Sequence, residues 1–205
     1  PQMSSTERVR GWAGPVILSY GYRPFFLLAG MWAAFAMVYW IAILSDGVRY
    51  WSHFKPVDWH AHEMLFGYLG AVLAGFLLTA VPNWTGRLPI IGWPVALLSV
   101  LWILGRVAIG LSDRLIPSVA GVLDLLAPLT LTASIGREVW VGKNWKNIPL
   151  LLLYVLFGLA NIMFHVEVAQ AQVASEGPGF RLGLAVAVVL ISLIGGRVIP
   201  SFTRN

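Results

Sequence analysis

The chain alternates between long apolar runs and short polar, proline-bearing or glycine-bearing breaks, and six runs can be drawn, at 24–44, 60–81, 92–111, 116–135, 148–165 and 180–196. Each holds 17 to 22 residues. At a helical rise of ~1.5 Å per residue, such a length crosses a hydrocarbon layer of ~30 Å. The pattern predicts an all-α fold, a polytopic transmembrane helix bundle with six membrane-spanning helices in a single domain over residues 1–205. Residues 1–23 read as a cytoplasmic, interfacial segment, with Arg8, Arg10 and Arg23 placed around the short mixed stretch Val9 to Tyr22. No signal-peptide cleavage pattern follows the first run, so that run reads as a stable anchor.

Composition supports this reading and removes others. With 58% hydrophobic and 11% charged residues, and a mean hydropathy of +0.76, the chain carries more apolar surface than one soluble core could hide. The formal charge of +5 and pI near 9.9 would suit a nucleic-acid binder, but the basic residues are scattered between apolar runs and form no stripe, so no nucleic-acid partner is expected. Membrane topology accounts for them instead. Arg8, Arg10, Arg23, Arg87, Arg137, Lys143, Lys146, Arg197 and Arg204 fall on the side of the N-terminus, whereas Arg49, Lys55, Arg114 and Arg181 fall opposite and Arg106 lies inside the third run. Basic loops stay in the cytoplasm, so both termini are expected there. Tyr39, Trp40, Tyr50, Trp51 and Trp59 on one side, with Trp84, Trp93, Trp140 and Trp145 on the other, mark the two interfaces.

Candidate chemistry gathers at the start of the second run, in Trp59-His60-Ala61-His62-Glu63-Met64. Two imidazoles, a carboxylate and a thioether are all ligands for haem iron or copper. Ionisable groups inside a membrane are functional by default. There are no cysteines, which excludes disulfides, thiolate ligation, iron–sulfur clusters and covalent c-type haem and leaves b-type haem and copper as the candidate cofactors. The fifth run ends at His165, on the same side of the membrane as His60.

In a regular helix His60 heads a stripe of Glu63 or Met64, Gly67, Ala71 and Ala74 or Gly75, small enough to let a neighbouring helix or a flat ligand approach. His62 heads the opposite stripe, Phe66, Leu69, Leu73, Phe76 and Leu77, suited to lipid or bulky packing. The two imidazoles diverge by about 200° and grip one metal only if His-Ala-His is extended. In the fifth run Tyr154, Gly158, Asn161 and His165 form a matching stripe, with Asn161 placed to hold the His165 ring from behind. His60 and His165 are therefore the preferred inward ligands, His62 a candidate for a second metal, and Glu63 and Met64 supporting ligands. Arg106 and Asp124 lie at similar depths, roughly 21 and 18 Å from the cytoplasmic boundary, and read as a structural ion pair. His62-Glu63 begins like a zinc-protease motif, but Phe66 stands where its second histidine is required.

Four long segments carry a resemblance. Gly21-Tyr22-Arg23-Pro24-Phe25-Phe26-Leu27-Leu28-Ala29-Gly30, Trp59 to Gly67, Ala74 to Arg87 with its Val81-Pro82-Asn83-Trp84-Thr85-Gly86 centre, and Gly195-Gly196-Arg197-Val198-Ile199-Pro200-Ser201-Phe202-Thr203-Arg204-Asn205 closely resemble the NnrS family. The resemblance runs from about Gly21 onward. It implies a bacterial inner-membrane protein that carries haem and copper and acts in the nitric oxide and nitrosative stress response, commonly beside denitrification. Nitric oxide or its iron adducts would be the ligand, and lipid and other membrane subunits the partners. Family members are longer, with roughly double the helices, so this chain reads as the N-terminal half of that architecture. Two other classes fit the residues alone: a non-catalytic scaffold or accessory subunit whose polar stripes hold helices together, and a small-molecule or ion transporter with breaks at Pro82-Asn83 and Gly195-Gly196.

Overall fold

The computed structural model describes residues 5–203, with side chains described from Glu7 to Gly196 and at Ile199 and Thr203. Arg204, Asn205 and the side chain of Arg197, counted above with the basic side, lie outside the described residues. A short helix α1 (Ser5–Arg10) and a single 3-10 turn (Val16–Leu18) lead into α2 (Tyr22–Leu44). The second span is composite: α3 (Pro56–His62), a π-helical segment (Glu63–Leu69) and α4 (Gly70–Thr85). Then come α5 (Trp93–Gly110), α6 (Pro117–Val141), α7 (Ile148–Ala169) and α8 (Pro178–Thr203). Among the described residues six helices are long and apolar enough to cross a membrane, and their apolar exteriors fit a lipid bilayer.

The helix ends follow local chemistry. Proline stands in the first turn of α3, α5, α6 and α7, where its missing N–H costs no hydrogen bond. Gly86, at φ 68°, closes α4 in the left-handed conformation that glycine adopts without a Cβ clash. The run expected to end at residue 135 continues to Val141, because Arg137 and Glu138 lower the hydropathy without breaking the helix, which stops at Gly142. The second span starts at Pro56, four residues before the apolar run, so His60-Ala61-His62 is helical and the extended chelate is not formed.

The second span is the centre of the bundle. Of its most apolar window 61% is buried, against 17% for α2. α2 packs on α4, α5 on α6 and α7 on α8, with α6 closing against α4 and α7. Both stripes of the second span are therefore inside: Gly67, Ala71, Ala74 and Gly75 on one, Phe66, Leu73 and Leu77 on the other. A strip through Val57, Ala61, Met64, Tyr68, Val72 and Phe76 stays exposed or half-exposed, and His60 and Leu69 are half-exposed as well. Large side chains here fill a core, and small ones mark where rings approach the backbone: a Cβ on Gly75 would lie 2.9 Å from the Phe26 ring.

A buried histidine and carboxylate cluster as candidate metal centre

The site is built in one layer, about 6–12 Å in from the helix ends opposite the N-terminal side, where the described elements each contribute one or two polar groups at ~1.5 Å per residue. α3 and the π segment bring His62 and Glu63, α5 brings Arg106, α6 brings Asp124, and α7 brings Asn161 and His165. His62 and Glu63 are completely buried, while Asp124, Arg106 and Asn161 are exposed by 2 to 4%. Charge at such depth is tolerated only when it is paired and hydrogen-bonded.

Arg106 is the cationic hub. Its Nη1 donates to both Glu63 oxygens at 2.8 Å, and its Nη2 donates to Asp124 Oδ1. The other Asp124 oxygen, Oδ2, accepts from Asn161 Nδ2 at 2.8 Å, lies 2.9 Å from His165 Nε2 and lies 3.3 Å from His62 Nε2. His62 Nε2 is also 2.9 Å from Asn161 Oδ1, and its Nδ1 is 3.0 Å from Glu63 Oε1. Because the Asn161 amide is oriented by its donation to Asp124, its oxygen faces His62 and must accept. Both ring nitrogens of His62 thus lie within hydrogen-bond reach of an oxygen, and the ring donates from whichever nitrogen carries its proton. The Arg106 guanidinium therefore stands against two buried carboxylates, which also take contacts from both imidazoles and the Asn161 amide.

The π segment makes this geometry possible. Its wider turn carries Glu63 and Gly67 together toward α5, and the Gly67 carbonyl accepts from Trp102 Nε1 at 3.2 Å. Gly67 has no room for a side chain, since a Cβ would sit 2.6 Å from Arg106 Nη1 and 2.8 Å from Glu63 Oε2. The facing expected from a regular helix is therefore reversed. His62, expected toward lipid or bulky packing, is the buried imidazole, whereas His60, expected to head the inward groove, is half-exposed and stacks on Trp40 with ring centroids 3.9 Å apart. The divergence of the two rings holds, but its sense is inverted because the span is central and changes register just below them. Met64 turns to the half-exposed strip. Asn161 contacts His62 and Asp124 where it was expected to hold His165.

The donor set is one that could hold a metal ion. Ligand atoms of His62, Asp124 and His165 all lie within 4.8 Å of one another. Around a tetrahedral ion with bonds of ~2.0 Å, ligand atoms stand roughly 3.3 Å apart, close to the 2.9 and 3.3 Å separations of Asp124 Oδ2 from the two imidazoles. Glu63 on His62 Nδ1 completes the carboxylate–histidine arrangement that orients a ligating ring and leaves Nε2 toward the ion. A groove of about 230 Å³ lined by His53, Phe54, Ser112, Gly121 and His165 reaches the edge of the cluster. A second cavity, beside Arg106, Asp124 and Asn161, holds only about 30 Å³. Both fall below the roughly 300 Å³ at which small-molecule sites begin, so neither of these two cavities has room for haem.

Glu63 and Asp124 were the residues whose joint role the sequence concealed. Measured from the far helix ends, Glu63, Arg106, Asp124 and His165 share a layer, and that coincidence is the signal that unites them. None of the curated proteins compared with the chain matches it, nor does any solved structure. The family model described as NnrS protein matches residues 16–205, and over that length the chain belongs to the NnrS family.

Proposed function

We propose that this chain is a copper-binding protein of the bacterial inner membrane that acts in the nitric oxide and nitrosative stress response, with His62, Asp124 and His165 as the metal ligands. The observation that carries the reading is the approach of three ligand atoms from three different helices to within 4.8 Å, in a buried cluster where two carboxylates face the Arg106 guanidinium. Two imidazoles and a carboxylate suit Cu(II) better than they suit the hard cations magnesium and calcium.

Copper, when bound, supplies a redox-active centre with an open position for a small ligand. The chain's own residues prepare it. Glu63 fixes the His62 ring, Arg106 holds Asp124 by one oxygen so that the other faces the imidazoles, and Asn161 sets the distance between α7 and the cluster. Nitric oxide is small and apolar, and the groove at His165 offers it a path from the lipid side or the outer loop. With both termini cytoplasmic, as the basic-residue bias indicates, the cluster lies toward the outer leaflet. Haem has no place in this reading of residues 5–203, and no step depends on it.

The rival is a scaffold whose polar groups merely hold helices together; the same ion pairs serve it. Metal content separates the two. The purified, folded protein, supplied with Cu(II) and washed, should retain one copper per chain by elemental analysis and give an electron paramagnetic resonance spectrum with nitrogen ligation. A metal-free protein after that treatment means a scaffold.

A further inference from the structure

On the opposite side of the bundle, where α1, the 86–91 loop, α5 and α6 meet, lies a cleft of about 870 Å³. It takes no part in the metal cluster. Arg8, Arg87 and Arg137 line it with a single carboxylate, Glu138, so it carries a net charge of two positive units. Glu138 is shared between two of the arginines: it accepts from Arg87 Nε, and its other oxygen is 3.5 Å from Arg137. Arg8 Nε is buried in the wall with no hydrogen-bond partner among the described residues. The remaining wall combines apolar Ile90, Leu97 and Leu98 with the hydroxyl side chains of Thr130 and Ser134.

Two further features set the depth and the direction of this cleft. Two aromatic pairs flank it, half-buried Trp12 with exposed Trp93 and exposed Trp140 with exposed Trp145, their centroids 6.3 and 5.4 Å apart, as tryptophans do at the headgroup level of a bilayer. From Leu97 an exposed apolar stripe continues along α5 through Val100, Leu104 and Val107 into the hydrocarbon layer. A basic pocket that opens directly onto a lipid-facing apolar track matches one class of ligand, whose charge and chains are joined.

We propose that this cleft is a binding site for an anionic phospholipid, with the phosphate among Arg8, Arg87 and Arg137 and an acyl chain along the Leu97 to Val107 stripe. A free anion would use the arginines but not the stripe, and a zwitterionic lipid would bring its own cation into a cleft already positive. The volume lies within the roughly 300–1,000 Å³ of small-molecule sites and accommodates a glycerophosphate headgroup rather than a bare phosphate.

The test is native mass spectrometry of the delipidated full chain in detergent, titrated with phosphatidylglycerol, with phosphatidylcholine, and with phosphatidylglycerol in the presence of millimolar inorganic phosphate. One phosphatidylglycerol should bind at about tenfold lower concentration than phosphatidylcholine, and phosphate should displace little of it. Arg137→Glu, at a side chain 73% exposed and so safe for folding, should lose about tenfold in phosphatidylglycerol binding and leave phosphatidylcholine unchanged. Ser134→Trp, which fills the cleft without altering charge, should lose both. Equal binding of the two lipids, an unaltered Arg137→Glu protein, or full displacement by phosphate would overturn the proposal, the last identifying a soluble-anion site.

Discussion

Replacing Arg106 by methionine is the perturbation that most directly measures how the buried cluster is held. Met keeps the length and apolar stem of the side chain but removes the guanidinium that contacts Glu63 at 2.8 Å and Asp124 on its other arm. Both carboxylate side chains are wholly buried, so each is left facing only neutral groups and the imidazoles. Breaking a buried pair from one side costs roughly 3–5 kcal/mol, largely as the penalty of the stranded charge, and two carboxylates are stranded here. The loss should therefore fall at the upper end of that range or force one carboxylate to take up a proton. Combining Arg106→Met with Glu63→Gln and Asp124→Asn removes the charges together and should cost much less than the three single losses added. Reversible unfolding in mixed detergent micelles gives each value, and the difference is the coupling. A loss below about 1 kcal/mol for Arg106→Met, or strict additivity of the three substitutions, would refute the reasoning.

Three further outcomes are expected. Gly67→Ala places a Cβ 2.6 Å from Arg106 Nη1 and should cost roughly 1–3 kcal/mol, whereas Gly158→Ala, with nothing within 4 Å, should be neutral or stabilise by about 0.4–1 kcal/mol; thermal melts of the two variants compare them. Asn161→Leu takes an acceptor from His62 and a donor from Asp124 and should cost roughly 1–3 kcal/mol in the same unfolding assay, with an unchanged stability showing that the bridge contributes nothing. A cysteine introduced at Lys55 should react with a membrane-impermeant thiol reagent in intact spheroplasts, while one at Lys143 should react only after lysis; the reverse pattern would invert the orientation.

The fold was legible because membrane spans announce themselves by length and hydropathy, and the breaks at Pro56, Gly86, Gly92 and Pro117 carry their own turn chemistry. The site was legible by residue type and not by direction. His60 and His62 diverge as helical geometry requires, yet which of them points inward depends on a π segment that no apolar periodicity reveals, because Phe66 and Gly67 are buried alike. A stripe of Phe66, Leu73 and Leu77 reads as lipid-facing only for a peripheral span; in a central one the same residues are core. Arg106 and Asp124 were matched by depth, but measuring from the near side of the membrane concealed that Glu63 and His165 share their layer.

The most direct test of the central claim is copper retention by three single variants, His60→Ala, His62→Ala and His165→Ala, each purified, checked for folding and examined by elemental analysis and pulsed electron paramagnetic resonance. The placement of His62 and His165 at Asp124, with His60 stacked on Trp40 at the half-exposed face, predicts that the first variant keeps the copper and its two-imidazole signature. The His62→Ala and His165→Ala proteins should lose it. Folded His62→Ala protein that retains stoichiometric copper with an unchanged spectrum, or loss of copper only in His60→Ala, would contradict the assignment.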